Sequence, residues 1–364
     1  MTTRRQFLGG AAAATGIAFC GCAMLDAARA QQPPGRQRLP VSVNGKRVKT
    51  IDVHAHCLFH EAENLMGDDN TAFKSPVRGA PEAFITLEER LRAMDAMAVD
   101  MEVLSINPFW YHKDRDLAGE IVKVQNEKLA ELCGSKPDRF AAFASLALQY
   151  PDLAVQQLET AVKKQGLRGA AIGGNVAGEE FADPKFHPVW AKAEELGAVL
   201  FIHPQSPQEL AKRLKGNGWL ANTVGLPTET SIALSHLIFE GTLDRFPDLK
   251  VISAHGGGYL PSYADRSDHA CFVNPSGCDP NITLKKKPTE YLKQLYFDAL
   301  VFTPEALRHL AAEVGPSQIM LGSDHPYPWE QHPVDAIMAT TTLSDEEKLA
   351  ILGGNAARLF GIGA

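Results

Sequence analysis

The sequence predicts an α/β protein built as a (β/α)8 barrel. Between residues 51 and 342, eight short apolar runs alternate with longer segments that have helical periodicity and charged outer faces. No hairpin turn signal separates successive runs, which favours parallel strands. A doubly wound open sheet is the alternative, but no G-x-G-x-x-G sequence follows the first run. The length of 364 residues also suits one large domain, since a barrel alone needs about 250 residues.

The predicted elements follow in a regular order along the chain. Before the first barrel strand, residues 41–48 alternate around Asn44-Gly45, which is a strong hairpin signal. The eight predicted barrel strands are Ile51–His54, Glu102–Ile106, Phe140–Leu146, Gly169–Ile172, Val199–His203, Lys250–Ala254, Leu295–Asp298 and Ile319–Gly322. The helical segments include Leu87–Ala98, Leu117–Leu132, Leu153–Gln165, Pro188–Leu196, Thr228–Phe246, Pro304–Glu313 and Pro333–Thr342.

Residues 1–30 predict an export signal of the twin-arginine type. Arg4-Arg5 precede an apolar run from Gly9 to Leu25, and Ala28-Arg29-Ala30 offers a small-x-small cleavage site. A membrane anchor is the alternative, but Gly and Thr interrupt the run, which is short for a span of about 20 apolar residues. Lipid attachment at Cys22 is disfavoured because no Leu stands three residues before it. We therefore expect a periplasmic protein without a stable membrane span, exported by the twin-arginine machinery, in which residues 31–48 form a tether and the hairpin.

Charge and cysteine content bound the class of protein. The formal net charge is −7, and removal of the leader takes away three arginines and one aspartate, which makes it −9. This balance gives no reason to expect a nucleic-acid partner. Four cysteines remain after residue 30, and only Cys271 and Cys278 are close enough in sequence to suggest a local bridge. Four cysteines allow three pairings, so the sequence leaves the pairing open.

Histidine and aspartate residues stand at the carboxyl ends of five predicted strands, where barrel enzymes place their catalytic groups. His54 and His56 end strand one, and alternation in an extended chain puts both imidazoles on the same side. The other strand ends carry His203, His255, Asp298 and Asp324. Imidazole and carboxylate ligands suit a borderline divalent ion, so we expect a site built from His54, His56, His203 and Asp324, with zinc as the first expectation. His255 is then free to act as an acid or a base.

One ion is expected rather than two. Barrels of this type that hold a second ion commonly use a modified lysine at the end of strand four, and residues 168–174 contain no lysine. Among the remaining histidines, His112 and His325 lie in loops after strands and are candidates to line the pocket. We expect structural roles for the others, which are His60, His187, His236, His269, His309 and His332.

The sequence resembles the amidohydrolase superfamily at His54-Ala55-His56, Ala254-His255-Gly256-Gly257-Gly258 and Gly322-Ser323-Asp324-His325-Pro326. The resemblance covers about residues 49–362, which we take as the catalytic domain, and is strongest to the branch that includes aminocarboxymuconate-semialdehyde decarboxylase. It implies that His54, His56, His203 and Asp324 bind the metal while His255 manages the proton of its water. It also implies a homodimer, because Arg266 occupies the place of an arginine that reaches a substrate carboxylate in the neighbouring subunit.

Two departures from that branch concern the substrate pocket. Trp219 matches a family tryptophan, but Asn222 stands where the branch has a second one three residues later. The other substrate-carboxylate arginine has only Arg78 as a counterpart, displaced in its loop. We therefore expect Trp219, Asn222, Arg78 and Arg266 to bind a substrate that differs from that of the named decarboxylase.

Three functions are consistent with these residues. The first is non-oxidative decarboxylation of an aromatic or unsaturated carboxylate, with His255 moving the proton and Arg266 as a carboxylate partner. The second is hydrolysis of a lactone, ester or amide by a water that the ion activates, in which Asp324 relays a proton. The third is an exported binding protein that has lost its chemistry. A serine nucleophile is not supported, because the chain has no G-x-S-x-G elbow.

Overall fold

Eight parallel strands form the centre of the part of the chain that the structure describes. The structure is a computed structural model and describes residues 40–67 and 86–363. The predicted export signal, the first part of the tether and Arg78 lie outside the described residues. A two-stranded hairpin, β1 and β2, precedes the barrel strands β3 to β10. In order, the strands are Ser42–Val43, Lys46–Arg47, Ile51–His56, Met101–Ser105, Phe140–Ala142, Gly169–Ile172, Val199–Ile202, Lys250–Ser253, Tyr296–Asp298 and Ile319–Met320.

The barrel closes at two seams. Strands β3 to β5 pair in parallel, and so do β6 to β10. Ala144, just past β5, joins these two sheets, since its N–H donates to Gly169 O at 2.8 Å and its carbonyl accepts from Ala171 N at 2.9 Å. The second seam joins β10 to β3 through backbone bonds of residues 321–325 to residues 53–56. The predicted barrel is therefore confirmed.

Helices cover the outside of the barrel. Labelled α1 to α14, they are His60–Met66, Leu87–Ala96, Arg115–Ser135, Pro151–Lys163, His187–Leu196, Leu226–Phe239, Thr242–Arg245, Leu260–Asp268, Ala270–Val273, Pro288–Tyr291, Pro304–Val314, Pro333–Met338, Asp345–Leu349 and Asn355–Phe360. The prediction of one helix over Thr228–Phe246 is wrong, because Gly241 adopts a left-handed φ of 73° and separates α6 from α7. The strand predicted over Phe140–Leu146 is also shorter, and β5 ends at Ala142.

The barrel interior is packed with apolar side chains below the strand ends. Phe143 and Phe201 stack with ring centroids 5.3 Å apart, and Phe360 of α14 packs edge-on against Phe143 at 5.7 Å. Phe201 in turn contacts the ring of His54 at 5.2 Å. The aromatic column therefore supports the strand-end side chains from beneath and fills the barrel as a core.

Three smaller features bear on the expectations from sequence. The hairpin turns at Asn44 and Gly45, which both have positive φ, as a tight two-residue turn requires. Cys271 and Cys278 form a disulfide, whereas Cys57 and Cys133 are free thiols. Within residues 40–67 and 86–363, no helix combines the length and the apolar character that crossing a membrane would need.

Candidate metal centre

The four predicted ligands converge at the carboxyl end of the barrel. Their ligand atoms all lie within 4.8 Å of one another, and all four residues are buried. His56 Nε2 is 3.2 Å from His54 Nε2 and 2.8 Å from Asp324 Oδ1. Ligands that are each about 2.0–2.2 Å from one ion must lie about 3 Å from one another, so this spacing fits a single ion.

Two polar atoms of this cluster have no hydrogen-bond partner. They are the ring nitrogens of His203, which are buried and unpaired within the described residues. An unpaired buried polar atom costs about 1–3 kcal/mol, which coordination to a cation would offset. The donor set and these unpaired atoms therefore fit a divalent ion held by His54, His56, His203 and Asp324.

Two neighbouring side chains orient the imidazoles of β3. His54 Nδ1 donates to Asp298 Oδ2 at 2.6 Å, which leaves Nε2 facing the centre. Ser105 Oγ lies 3.0 Å from His56 Nδ1 and donates to Ala55 O, so it can accept the Nδ1–H of His56. Asp298 also accepts backbone N–H groups of His255 and Gly256 at 2.9 and 2.8 Å. Such outer contacts fix ring orientation and tautomer in metal sites. The sequence placed Asp298 at a strand end without assigning it this function.

The electrostatics favour neutral imidazoles and ionised carboxylates, with one exception. Burial and the nearby charges of His56 and His54 lower the pKa of His203 well below its ordinary value. Burial opposes ionisation of Asp324, but the charge of His54 and the hydrogen bonds from His255, His54 and His56 together outweigh it and hold the pKa of Asp324 well below its ordinary value. Burial also disfavours the charged form of His54, yet the carboxylates of Asp324 and Asp298 raise the pKa of His54 to about 10. In the metal-free site His54 therefore carries a second ring proton, and a divalent ion would replace the positive charge of that proton.

His255 faces the centre without belonging to the cluster of four. Its Nε2 lies 3.8 Å from Asp324 Oδ2, and its ring centroid is 5.1 Å from those of His54 and His203. The backbone reaches this position with a φ of 56° at His255, followed by three glycines with positive φ. A Cβ at Gly257 would lie 2.7 Å from the ring of Phe297, so the glycine run allows close packing as well as the turn. His255 is placed to exchange a proton with a molecule bound at the centre.

A cavity of about 670 Å³ opens from His203 and Asp324. Its aromatic lining consists of Phe109, Tyr111, Trp219, Tyr327 and Trp329, and amide side chains come from Asn107, Asn175, Gln205, Gln208 and Asn222. Trp219 and Trp329 stack with centroids 5.6 Å apart and planes 15° apart. Trp329 was not predicted, because a single aromatic residue in a loop has no periodic signal. It follows Asp324 by five residues, which is the one sequence feature that could have pointed to it.

The predicted pocket residues separate into three groups. Trp219, Asn222 and His112 line the cavity. His325 does not line it, because its ring turns inward and its Nδ1 pairs with Glu102 at 2.7 Å. Arg266 is exposed on α8 and is absent from the cavity lining of this single chain, and Arg78 lies outside the described residues. Substrate binding by Trp219, Asn222 and the two arginines stays a prediction.

A barrel with such a metal-ligand cluster at its carboxyl end defines a class of metal-dependent enzymes. The family model described as amidohydrolase matches residues 51–362, and the chain belongs to this family. Its relatives include the 2-amino-3-carboxymuconate-6-semialdehyde decarboxylase of Dictyostelium discoideum, 34% identical over 75% of this chain and 76% of that protein. They also include the γ-resorcylate decarboxylase of Rhizobium radiobacter, 31% identical over 75% of this chain and 86% of that protein.

Solved structures of decarboxylases share the fold. The 5-carboxyvanillate decarboxylase from Sphingomonas paucimobilis superposes with a TM-score of 0.79 at 28% identity, over 87% of this chain and 100% of that one. The dihydroxybenzoic acid decarboxylase from Polaromonas was solved with bound manganese and the inhibitor 2-nitroresorcinol. It gives a TM-score of 0.75 at 27% identity, over 86% of this chain and 97% of that one. The amidohydrolase resemblance seen in the sequence is confirmed.

Metal binding should release protons. In metal-free protein His54 keeps both ring protons up to about pH 10. A ligand imidazole must be neutral, so metal binding at pH 7 should release about one proton. The apparent affinity should rise about tenfold per pH unit between pH 7 and 9, because higher pH removes the competing proton. Calorimetry of metal binding to the apoprotein, in two buffers with different ionisation enthalpies, measures the number of protons released. Asp298→Asn should release fewer protons, because Asp298 helps to raise the pKa of His54. A metal affinity independent of pH would contradict the expectation.

His203→Ala and His255→Ala should have different effects on metal content and turnover. Loss of His203 removes a ligand, so that variant should hold metal poorly and unfold at a lower temperature than metal-loaded wild type. His255→Ala should keep its metal and lose turnover by about 10²–10⁴-fold. Metal content and rate are measured on the same preparations. A metal-free His255→Ala protein, or a fully loaded and active His203→Ala protein, would overturn the assignment.

Proposed function

We propose that this protein is a metal-dependent non-oxidative decarboxylase of an aromatic or unsaturated carboxylate. The observation that carries the proposal is the convergence of His54, His56, His203 and Asp324 where an aromatic cavity reaches His203 and Asp324, with His255 Nε2 3.8 Å from Asp324 Oδ2. The relatives support the carboxy-lyase reading, because the curated proteins and structures compared above are decarboxylases.

The site residues suit the two parts of such a reaction. Decarboxylation breaks a carbon–carbon bond, releases CO2 and needs a proton at the carbon that lost the carboxyl group. A bound divalent ion supplies positive charge that holds substrate oxygens and stabilises developing negative charge. His255 Nε2, next to Asp324, is positioned to hold and deliver the proton. Burial of the centre limits the access of water, which strengthens these electrostatic interactions.

The cavity suits a planar ring as the substrate body. Trp219 and Trp329 present a stacked pair of indoles, and Phe109, Tyr111 and Tyr327 complete the aromatic lining. Aromatic rings pack well on such surfaces and gain about 0.5–1.5 kcal/mol per pair beyond burial. The five amide side chains of the lining can form hydrogen bonds with hydroxyl or amino substituents and so fix the orientation of the ring.

The native ion is proposed to be a single zinc or manganese. Three imidazoles with one carboxylate suit zinc, which is the expectation from sequence. Manganese is the second ion to test, because the Polaromonas relative contains it. Elemental analysis of protein purified without added metal should return about one divalent ion per chain, and a value near two would exclude this arrangement.

The active unit is proposed to be a homodimer in which Arg266 completes the neighbouring site. Arg266 lies on α8 with the exposed side chain of Tyr263, and exposed Phe272 and Val273 follow on α9 within the loop that the disulfide closes. Exposed apolar side chains in one region are typical of an association surface. Inactive Arg266→Ala and His203→Ala chains should regain activity when mixed, because one of the two sites in a mixed dimer is then complete. No recovery on mixing would contradict the proposal.

Export to the periplasm by the twin-arginine route is also proposed, on the strength of residues 1–30 alone. Replacing Arg4-Arg5 by Lys-Lys should leave the precursor in the cytoplasm, as cell fractionation would show. Unchanged export of the variant would exclude this route.

The decarboxylase activity is tested with metal-loaded protein and a panel of hydroxybenzoates, unsaturated acids, lactones and esters. Decarboxylation in D2O should release CO2 and leave one deuterium on the carbon that lost the carboxyl group, as mass spectrometry would show. His255→Ala is the matched control, because it should bind metal without turnover. Acid production from a lactone or ester without CO2 would favour the hydrolase instead.

Trp329 should contribute to substrate binding more than to the chemical step. Trp329→Leu removes one indole of the stack and should raise KM about 3- to 10-fold, which corresponds to about 1 kcal/mol of lost stacking, with kcat changed less than twofold. Ile232→Val is the control, because Ile232 of α6 is exposed and lies outside the cavity lining. A large loss of kcat at unchanged KM would show that Trp329 has another function.

A further inference from the structure

A buried ionic network lies beside the metal centre and takes no part in the reaction proposed above. Arg90 of α2 pairs with Glu102 of β4 at 2.6 Å, and Glu102 pairs with His325 Nδ1 at 2.7 Å. The relative exposures are 3% for Arg90, 0% for Glu102 and 7% for His325. None of the three lines the cavity described above, so none is placed to touch a substrate there.

Such a network is a poor way to stabilise a fold. Removing charges from water costs several kcal/mol per ion, and replacing a buried ion pair by apolar residues is often neutral or stabilising. The network nevertheless retains its charge, because Arg90 and His325 outweigh the effect of burial and lower the pKa of Glu102 to about 2. A buried charged network in this place calls for a role other than stability.

The network contacts the backbone of two metal-site segments. Arg90 Nη2 donates to the carbonyl oxygen of His56, which is a ligand. His325 directly follows the ligand Asp324, and the His325 carbonyl accepts the His56 N–H at 2.6 Å. Arg90 and His325 thus bind the two main-chain polar groups of His56, at the point where β10 closes onto β3.

Asp324 has particular need of such support. Its φ is 66°, a left-handed conformation that costs a non-glycine residue roughly 1 kcal/mol or more unless its surroundings fix it. The N–H of Asp324 donates to His54 O at 2.8 Å. The next residue, His325, is held at two points: its side chain binds Glu102, and its backbone N–H donates to Ser323 Oγ at 3.1 Å. The side-chain direction of Asp324 therefore depends on where His325 is anchored.

We infer that Arg90, Glu102 and His325 are positioning residues that set the geometry of the metal centre by anchoring His56 and Asp324 across the seam. This inference rests on the metal site of the proposed function but not on the reaction. The side chain that couples the two segments is Glu102, since one of its oxygens binds Arg90 and the other binds His325.

The test uses the apoprotein and Co²⁺, whose absorption spectrum reports ligand geometry independently of turnover. His325→Leu removes the donor to Glu102 and should lower Co²⁺ affinity about 10- to 100-fold, as loss of an outer contact does in metal sites. Its spectrum at saturating Co²⁺ should also differ from that of wild type. His325→Asn places an amide N–H donor near the position of Nδ1, so it should stay within about threefold of wild type.

A structural role alone would lower the melting temperature without changing the spectrum of the saturated site. Glu305→Gln is the matched control, because Glu305 pairs with Arg308 at 2.6 Å on the surface and should leave both readouts unchanged. Glu102→Gln provides the same test if His325→Leu does not fold. Wild-type affinity and spectrum in a folded His325→Leu or Glu102→Gln protein would overturn the inference. A wild-type protein that binds no Co²⁺ would instead argue against the metal site.

Discussion

The closure of β10 onto β3 is the constraint on which the candidate site depends. Three backbone bonds make this seam: Val53 N to Leu321 O at 2.9 Å, Asp324 N to His54 O at 2.8 Å and His56 N to His325 O at 2.6 Å. Two candidate ligands, His54 and His56, lie on one side of the seam, and the candidate carboxylate ligand Asp324 lies on the other. Any opening of the barrel there would separate the ligands, so an ion that binds all of them stabilises the closed barrel by mass action.

The charges around the seam explain why the site favours a cation. Asp298 and Asp324 flank His54, and Asp52 lies beneath it, accepting its backbone N–H at 2.9 Å. Burial raises the pKa of Asp52 to about 7, and the negative charge of Glu102 adds to this effect. A bound divalent ion would be the largest positive charge in the region and would relieve this repulsion.

Much of the architecture could be predicted because it depends on local patterns. Apolar runs of strand length and strand-end polar residues locate the eight strands and the cluster of His54, His56, His203 and Asp324. The helix break at Gly241 was missed because apolar periodicity continues across it. Arg90 resembles any charged residue of an amphipathic helix, and only the tertiary structure shows that its face is buried. Trp329 and Asp298 acquire their surroundings from segments distant in sequence, which no local pattern records.

The aromatic column of Phe143, Phe201 and Phe360 has a consequence for the passage of molecules through the site. These side chains fill the barrel below His54, so the cavity opens at the opposite end. Substrate, CO2 and the ring product of the proposed reaction would then share the opening beside the two stacked indoles. CO2 is small and the ring is held by stacking, so CO2 should leave first and the aromatic product last. Release of the aromatic product would then limit the rate of turnover.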